Sequence, residues 1–107
     1  MQLGIVLNSK DPETAWNALR LGITAIEAGH KVSVFLIGSG VEVDSIDDER
    51  FNIRELLQQF AKKQKSLLAC GTCMTLRRRE AAGVLLKSSM SELLQLVNDS
   101  DKVVTFG

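Results

Sequence analysis

Apolar residues follow two alternating patterns along this chain. Short, nearly continuous apolar runs are separated by longer stretches in which apolar residues recur every three or four positions. Continuous runs are typical of strands buried on both faces, as in parallel sheets, whereas the longer spacing predicts amphipathic helices. The runs predict five strands, at residues 3–7, 32–37, 67–70, 84–86 and 103–106.

Helices are predicted between these strands because the intervening stretches begin with recognisable N-terminal caps. Asp11, a common N-terminal cap, precedes Pro12. Proline is tolerated at the first helical position because the N–H that it lacks would have no partner there. Asn52 and Ser89 each open a capping box that a glutamate completes three residues later. The apolar stripes expected to face the core are Trp16, Leu19, Ile23 and Ile26, then Ile53, Leu56, Leu57 and Phe60, and finally Met90, Leu93, Leu94 and Val97.

The order of these elements, strand and helix in turn, predicts an α/β fold. Right-handed crossovers between successive parallel strands give a three-layer domain, with about five strands and helices on both faces of the sheet. The 107 residues fit one domain, residues 1–107, and a chain of this length buries roughly two-thirds of its unfolded surface without needing a metal or disulfide.

Charge and hydropathy narrow the range of partners. Thirteen basic residues balance thirteen acidic ones, which argues against a nucleic-acid-binding protein, since those usually carry a basic excess. A membrane-spanning helix needs about 20 apolar residues, and no apolar run in this chain approaches that length. The N-terminus shows no basic leader, so we expect a cytoplasmic protein. In that reducing compartment, two cysteines three residues apart favour reactive or metal-binding chemistry over a structural disulfide.

Function in open α/β sheets gathers in the loops that follow the carboxyl ends of the strands. Cys70 ends the third predicted strand, and a short helix from residue 73 to about 80 is expected to follow. Thr72 is the expected cap of this helix, which places Cys73 in its first turn, where the helix N-terminus should lower the pKa of the thiol. Other residues expected at the same edge are Asn8, Ser9, Lys10, Gly71 and the acidic loop within residues 38–51.

Several other sites are disfavoured by the residues present. A zinc site needs about four ligands, and His30, the only histidine, precedes the second strand and so belongs to the opposite edge. That position also removes a Cys–His dyad. A thioredoxin-type site needs a proline facing the cysteines, but Pro12 begins a helix, and no glycine-rich phosphate loop follows the first strand. We therefore predict no metal and no cofactor. The alternative to a reactive site is that Cys70 and Cys73 are simply two small apolar residues in a tight turn.

Three consecutive arginines, Arg77, Arg78 and Arg79, follow the cysteine turn. Successive helical residues point about 100° apart, so the three cannot all face the sulfurs. We expect at least two of them to lie on a solvated face and select Arg77 as the supporting residue, able to stabilise a thiolate or attract an anion. The acidic loop is interpreted as a lid, a docking surface or simply a solvated loop.

Four segments of the chain together match the pattern of a known family. They are the first strand, Ala28-Gly29-His30 at the end of the first helix, the turn Ala69-Cys70-Gly71-Thr72-Cys73-Met74 and the closing Ser100-Asp101-Lys102-Val103-Val104-Thr105-Phe106. These segments resemble the DsrE/DsrF-like family, and the resemblance covers essentially the whole chain. The resemblance implies a flavodoxin-like α/β fold and a sulfur-relay function, in which a cysteine near the third-strand end carries a persulfide and passes the sulfur on. It also implies homotrimers or hexamers, and partner proteins that donate and accept sulfur.

The family position makes Cys70 the implied sulfur carrier and Cys73 a second thiol that resolves or shares the persulfide. Helix position alone favours Cys73, so the choice between them stays open at this point. The chain also departs from the family pattern, in which a glycine often follows the basic residues after the cysteine turn. Two alternatives remain: a non-enzymatic oligomeric module that binds a ligand or partner, and a dithiol redox switch or zinc site completed across subunits.

Overall fold

All five strands are parallel, and the chain runs from strand to helix throughout. A computed structural model describes residues 1–107. A 3₁₀ segment, Gly38–Ser45, precedes the second helix. The elements are β1 (Gln2–Leu7), α1 (Pro12–Glu27), β2 (Lys31–Leu36), α2 (Ile53–Lys62), β3 (Leu67–Cys70), α3 (Gly71–Leu76), β4 (Leu85–Ser88), α4 (Met90–Asp99) and β5 (Lys102–Phe106).

The strand order in the sheet is β4-β3-β2-β1-β5. In the parallel register Leu7 pairs with both Leu36 and Phe106, and Cys70 pairs with Ser88. The carboxyl ends of all five strands therefore share one edge of the sheet. The predicted α/β parallel sheet of about five strands is confirmed.

The helix starts are fixed by the side chains that the sequence indicated. Asp11 Oδ2 accepts the N–H of Thr14 at 3.0 Å, and Asn52 Oδ1 accepts the N–H of Glu55 at 3.1 Å. Ser89 Oγ accepts the N–H of Glu92 at 3.2 Å. Each bond satisfies a helix N–H that has no partner within the helix, which is why these short-range signals were readable from sequence.

Helices cover both faces of the sheet, as predicted. Gly22 of α1 lies close to the α2 ring of Phe60 and to Ile5 of β1: a Cβ at Gly22 would come within 2.9 Å of Phe60 and 3.6 Å of Ile5. Gly4, the preceding strand residue, faces the other way, and a Cβ there would lie 2.6 Å from Leu96 of α4. Because successive strand residues alternate in direction, α1 and α2 occupy one face and α4 the other.

The stripe predicted for α1 is only partly buried. Leu19 and Ile23 face the core, but Trp16 and Ile26 are half-buried at its margin. Small residues lie beneath the helix instead, which lets its backbone approach the sheet. Trp16 packs against Phe51, with ring centroids 5.3 Å apart, and Arg20 covers its ring at 4.0 Å. The other buried residues of α1 are Ala15, Ala18, Gly22 and Ala25.

The stripe predicted for α4 was only partly right: Leu93 packs against the core, but the other three residues face solvent. Leu96 is the only buried residue of α4, whereas Met90, Leu94 and Val97 are 59%, 70% and 47% exposed. The helix turns Leu96 toward the sheet because Gly4 leaves room for it there. We call Met90, Leu94 and Val97 the α4 patch.

Two elements, β4 and α3, end two or more residues away from their predicted positions. β4 begins and ends later than residues 84–86, because its pairing with β3 continues to Ser88. Helix α3 spans Gly71–Leu76 rather than 73 to about 80, since Arg78 adopts a left-handed conformation with φ of 53°. The N–H of Arg79 then returns to the carbonyl of Met74 at 3.0 Å, which closes the helix end.

Candidate functional site

The two cysteines lie at the junction of β3 and α3, at the carboxyl edge of the sheet. Cys70 is the last strand residue and also caps the helix: its Sγ accepts the N–H of Cys73 at 3.5 Å. The predicted cap, Thr72, is instead an exposed residue within the helix. Because the sulfur of Cys70 accepts the N–H of Cys73, the helix begins at Gly71, two residues before the predicted start.

Cys73 lies against the segment that follows β2. Its Sγ accepts the backbone N–H of Gly38 at 3.3 Å, and its side chain is half-buried. Gly38 has a φ of 57°, a left-handed conformation that favours glycine, and a Cβ at this residue would clash with Asn8 Oδ1. Asn8 and Gly38 thus bring the loops after β1 and β2 together beside Cys73.

The pKa of Cys73 is raised, so the predicted lowering was wrong. Burial is the main cause, and the neighbouring side chain of Cys70 acts in the same direction. The Gly38 N–H and the charge of Arg77 act the other way without prevailing. The free energy lost by removing the Cys73 thiolate from water exceeds the stabilisation that the Gly38 N–H and the charge of Arg77 provide.

Both cysteines are free thiols, and their exposure differs. Cys70 is 3% exposed, whereas Cys73 is half-buried. Cys70 nevertheless forms part of the wall of an open groove of about 400 Å³ between α3 and the start of α4. The two residues therefore border different surroundings, the groove for Cys70 and the 3₁₀ segment for Cys73, although their side chains lie close enough to interact.

The supporting residues named from sequence fall into two groups. Lys10 Nζ and Arg77 Nε both lie 3.5 Å from Glu42 Oε2, and Arg77 Nη1 donates to the carbonyl of Cys73 at 3.2 Å. Lys10 also donates its backbone N–H to Ser39 Oγ at 3.1 Å. Ser9, by contrast, stabilises the loop in which it lies, because its Oγ accepts the N–H of Asp11 at 3.0 Å.

The arginine cluster and the acidic loop are ion-paired with each other, which the sequence did not reveal. Besides the Arg77–Glu42 pair, Arg79 binds Asp44 through a charge-assisted hydrogen bond. Of the three arginines, only Arg78 lies on a solvated face. The expectation of two solvated arginines was therefore wrong, and the loop is fastened over the end of α3 by two ion pairs.

Lys87 is a residue that sequence reasoning missed. It lines the groove beside Cys70, in which Gly71 and Thr72 also take part. The predicted fourth strand ended at residue 86, so Lys87 was not recognised as a strand-end residue at the functional edge. Extending that strand by two residues would have identified it.

His30 lies at the opposite edge of the sheet, as predicted. Its Nδ1 is 3.0 Å from the N-terminal amine of Met1. The structure contains no group of three or more histidine, cysteine, aspartate or glutamate side chains placed to hold a metal ion. No helix is long and apolar enough to cross a membrane.

A family model described as the DsrE/DsrF-like family matches residues 1–106. The chain belongs to the DsrE/DsrF-like family. Membership indicates a sulfur-relay-type role that involves partners. Two curated relatives are uncharacterised proteins. That of Methanopyrus kandleri is 36% identical over 101 residues, covering 88% of this chain and 83% of its own; that of Methanocaldococcus jannaschii is 32% identical over 100 residues, covering 88% of each.

Two solved structures confirm the fold of this DsrE/DsrF-like protein. The ychN protein from E. coli superposes with a TM-score of 0.83 at 24% identity, covering 99% of this chain and 100% of that one. A conserved protein of unknown function from Bacteroides thetaiotaomicron gives a TM-score of 0.74 at 15% identity, covering 97% and 93%. At these identities the likeness concerns the fold alone.

Proposed function

We propose that this protein is a cytoplasmic sulfur carrier that holds a persulfide on its Cys70–Cys73 motif and passes the sulfur to a partner. The observation that carries the proposal is the placement of two free thiols at the carboxyl edge of the sheet, with Cys70 in the wall of an open groove. This edge is where α/β sheets place their reactive groups. The family indicates the same kind of chemistry.

The groove supports Cys70 as the carrying sulfur. Its thiolate attacks the sulfane sulfur of a donor, a Cys70–S–S bond forms, and the donor's leaving group departs with the electron pair of the broken S–S bond. A thiolate of an acceptor protein then attacks the outer sulfur and restores the Cys70 thiolate. Both steps are thiol–disulfide exchanges in form and need neither a metal nor a cofactor.

Cys73 serves as the second thiol. Attack of Cys73 on the inner sulfur of the persulfide would give a Cys70–Cys73 disulfide and release hydrogen sulfide, with no external oxidant. Because burial raises the pKa of Cys73, this thiol stays protonated at neutral pH, which protects the persulfide from premature release. The Lys10–Glu42–Arg77 ion pairs and the Asn8–Gly38 contact hold the covering segment over Cys73.

The protein is proposed to act as a homo-oligomer, a trimer or hexamer, assembled through the α4 patch. Three large apolar side chains are exposed on one helix face, and a second copy of the chain is the occupant that we propose. Met90 also lines the Cys70 groove, so the interface would lie beside that groove.

Mass spectrometry of the intact protein after incubation with a sulfane-sulfur donor tests the carrier role. We expect wild type and Cys73→Ser to gain the mass of sulfur, and Cys70→Ser and the double variant to gain none. A Cys70–Cys73 disulfide without any sulfur adduct would instead indicate a redox switch. Sulfur gained by Cys70→Ser but not by Cys73→Ser would transfer the carrier role to Cys73, and no adduct on any variant would refute the proposal.

A further inference from the structure

The groove beside Cys70 is part of a longer trough along the outer side of α3. A second groove, of about 530 Å³, adjoins it, and both are lined by Gly71, Thr75 and Lys87. The second groove continues from there past Arg78 and Arg79 to Glu80, the one carboxylate that lines it. The trough therefore extends from Cys70 to the far end of α3, which is enough room for a small molecule.

The Cys70 groove is lined by positive charge alone. Lys87 is the only charged residue that lines it, and no carboxylate does. Lys87 is exposed and has no carboxylate within ion-pair distance, and the same is true of Arg78 along the trough. Arg77 and Arg79, by contrast, form ion pairs with Glu42 and Asp44. The nearest acidic side chain of α4, Glu92, accepts the hydroxyl of Ser88 at 2.8 Å and is not part of the lining.

The absence of a side chain at Gly71 leaves room for the stem of Lys87. A Cβ at Gly71 would lie 2.8 Å from Lys87 Cε and 3.3 Å from its Cγ, so the lysine side chain passes directly over the residue that follows Cys70. Met90 and Leu76 line the same groove and give it apolar surface. A cation beside apolar surface attracts anions more strongly than one in open water.

We propose that this groove binds the anionic group of a small sulfane-sulfur donor and that Lys87 is the residue that recognises its charge. The inference rests on the proposed carrier function and adds the chemical class of the donor. With thiosulfate as the simplest member of that class, the Cys70 thiolate attacks the outer sulfur, the S–S bond of thiosulfate breaks, and sulfite leaves with its electron pair. One negative charge stays on the persulfide and two leave on sulfite, so charge balances.

The test compares an anionic donor, thiosulfate, with a neutral one, a dialkyl trisulfide. The rate constant for sulfur addition is measured by intact-mass spectrometry for wild type, Lys87→Met, Lys87→Arg and the control Lys31→Met, which removes an exposed lysine at the opposite edge of the sheet. We expect the ratio of thiosulfate to trisulfide rate constants to fall about tenfold in Lys87→Met. Lys87→Arg should restore most of it, and Lys31→Met should match wild type.

Ionic strength provides a second readout on the unaltered protein. Added salt should slow the thiosulfate reaction of wild type and leave the trisulfide reaction unchanged, because only the first is assisted by charge. An unchanged ratio in Lys87→Met, or wild type that reacts with trisulfide but not with thiosulfate, would overturn the inference and leave the carrier function standing. Failure with both donors would remove the carrier function itself.

Discussion

At the scale of single residues, the two thiols have different surroundings although they are three residues apart. Cys70 caps α3 and borders a groove, whereas Cys73 is covered by the 3₁₀ segment and accepts the N–H of Gly38. The folded protein therefore favours the protonated form of Cys73. The stability that results is fully present below the ordinary pKa of 9.0 and is lost as the pH rises from there through the raised pKa.

The alkylation of Cys73 should follow that raised pKa. We expect its rate with iodoacetamide to increase with a midpoint above pH 9.0, and Arg77→Met to move the midpoint higher, because the charge of Arg77 lowers the pKa of the thiol. Fragment mass spectra of the peptide assign the modification to Cys73. Arg54→Met, on α2, is the matched control and should leave the midpoint unchanged; a midpoint below 9.0 would contradict this account of burial.

At the scale of elements, the position of α4 depends on a glycine in the strand beneath it. A Cβ at Gly4 would lie 2.6 Å from Leu96 Cδ2 and 2.7 Å from Ser100 Oγ, closer than side chains normally approach. Leu96 is the only buried anchor of the helix. The close approach of β1 and α4 is thus set by the missing side chain.

Gly4→Ala should therefore destabilise the fold by about 1–3 kcal/mol, since an extra methyl group in a filled space must push α4 outward. Urea denaturation measures the loss. Ser33→Ala is the control, because Ser33 pairs with Gly4 in the sheet but is exposed, and its cost should stay below about 0.5 kcal/mol. Equal stability of the two variants would show that α4 does not pack as closely as the structure indicates.

At the scale of the whole molecule, the two faces of the sheet are covered unequally. Helices α1 and α2 bury most of the core on one side, while α4 leaves three large apolar side chains in solvent on the other. An apolar surface of this kind is characteristic of an interface. The proposed oligomer would cover it.

Leu94→Glu should dissociate that oligomer, because a carboxylate would be buried without a partner at the interface. Light scattering coupled to size-exclusion chromatography gives the mass of each variant. Gln58→Glu adds the same charge to an exposed position of α2 on the other face and should keep the wild-type mass. A monomeric wild type would refute assembly through the α4 patch.

The carboxyl-edge position of the cysteine motif was predictable because it follows from strand order alone. The surroundings of each sulfur were not. The cover over Cys73 comes from residues 35 positions away, and the Arg77–Glu42 pair joins two clusters that looked like separate solvated surfaces. Lys87 was missed for a local reason, since the apolar run of β4 ends before its backbone pairing does.

Periodicity and short-range spacing in the sequence were enough to identify the five strands, the caps of α1, α2 and α4, the parallel sheet and the edge that carries Cys70. These depend on periodicity and on hydrogen bonds between residues three or four positions apart. Only the tertiary structure decided which side of α4 faces the sheet, why the pKa of Cys73 rises and where Lys87 lies. Those properties depend on distances between segments far apart in the chain, and burial and charge interactions follow such distances rather than sequence spacing.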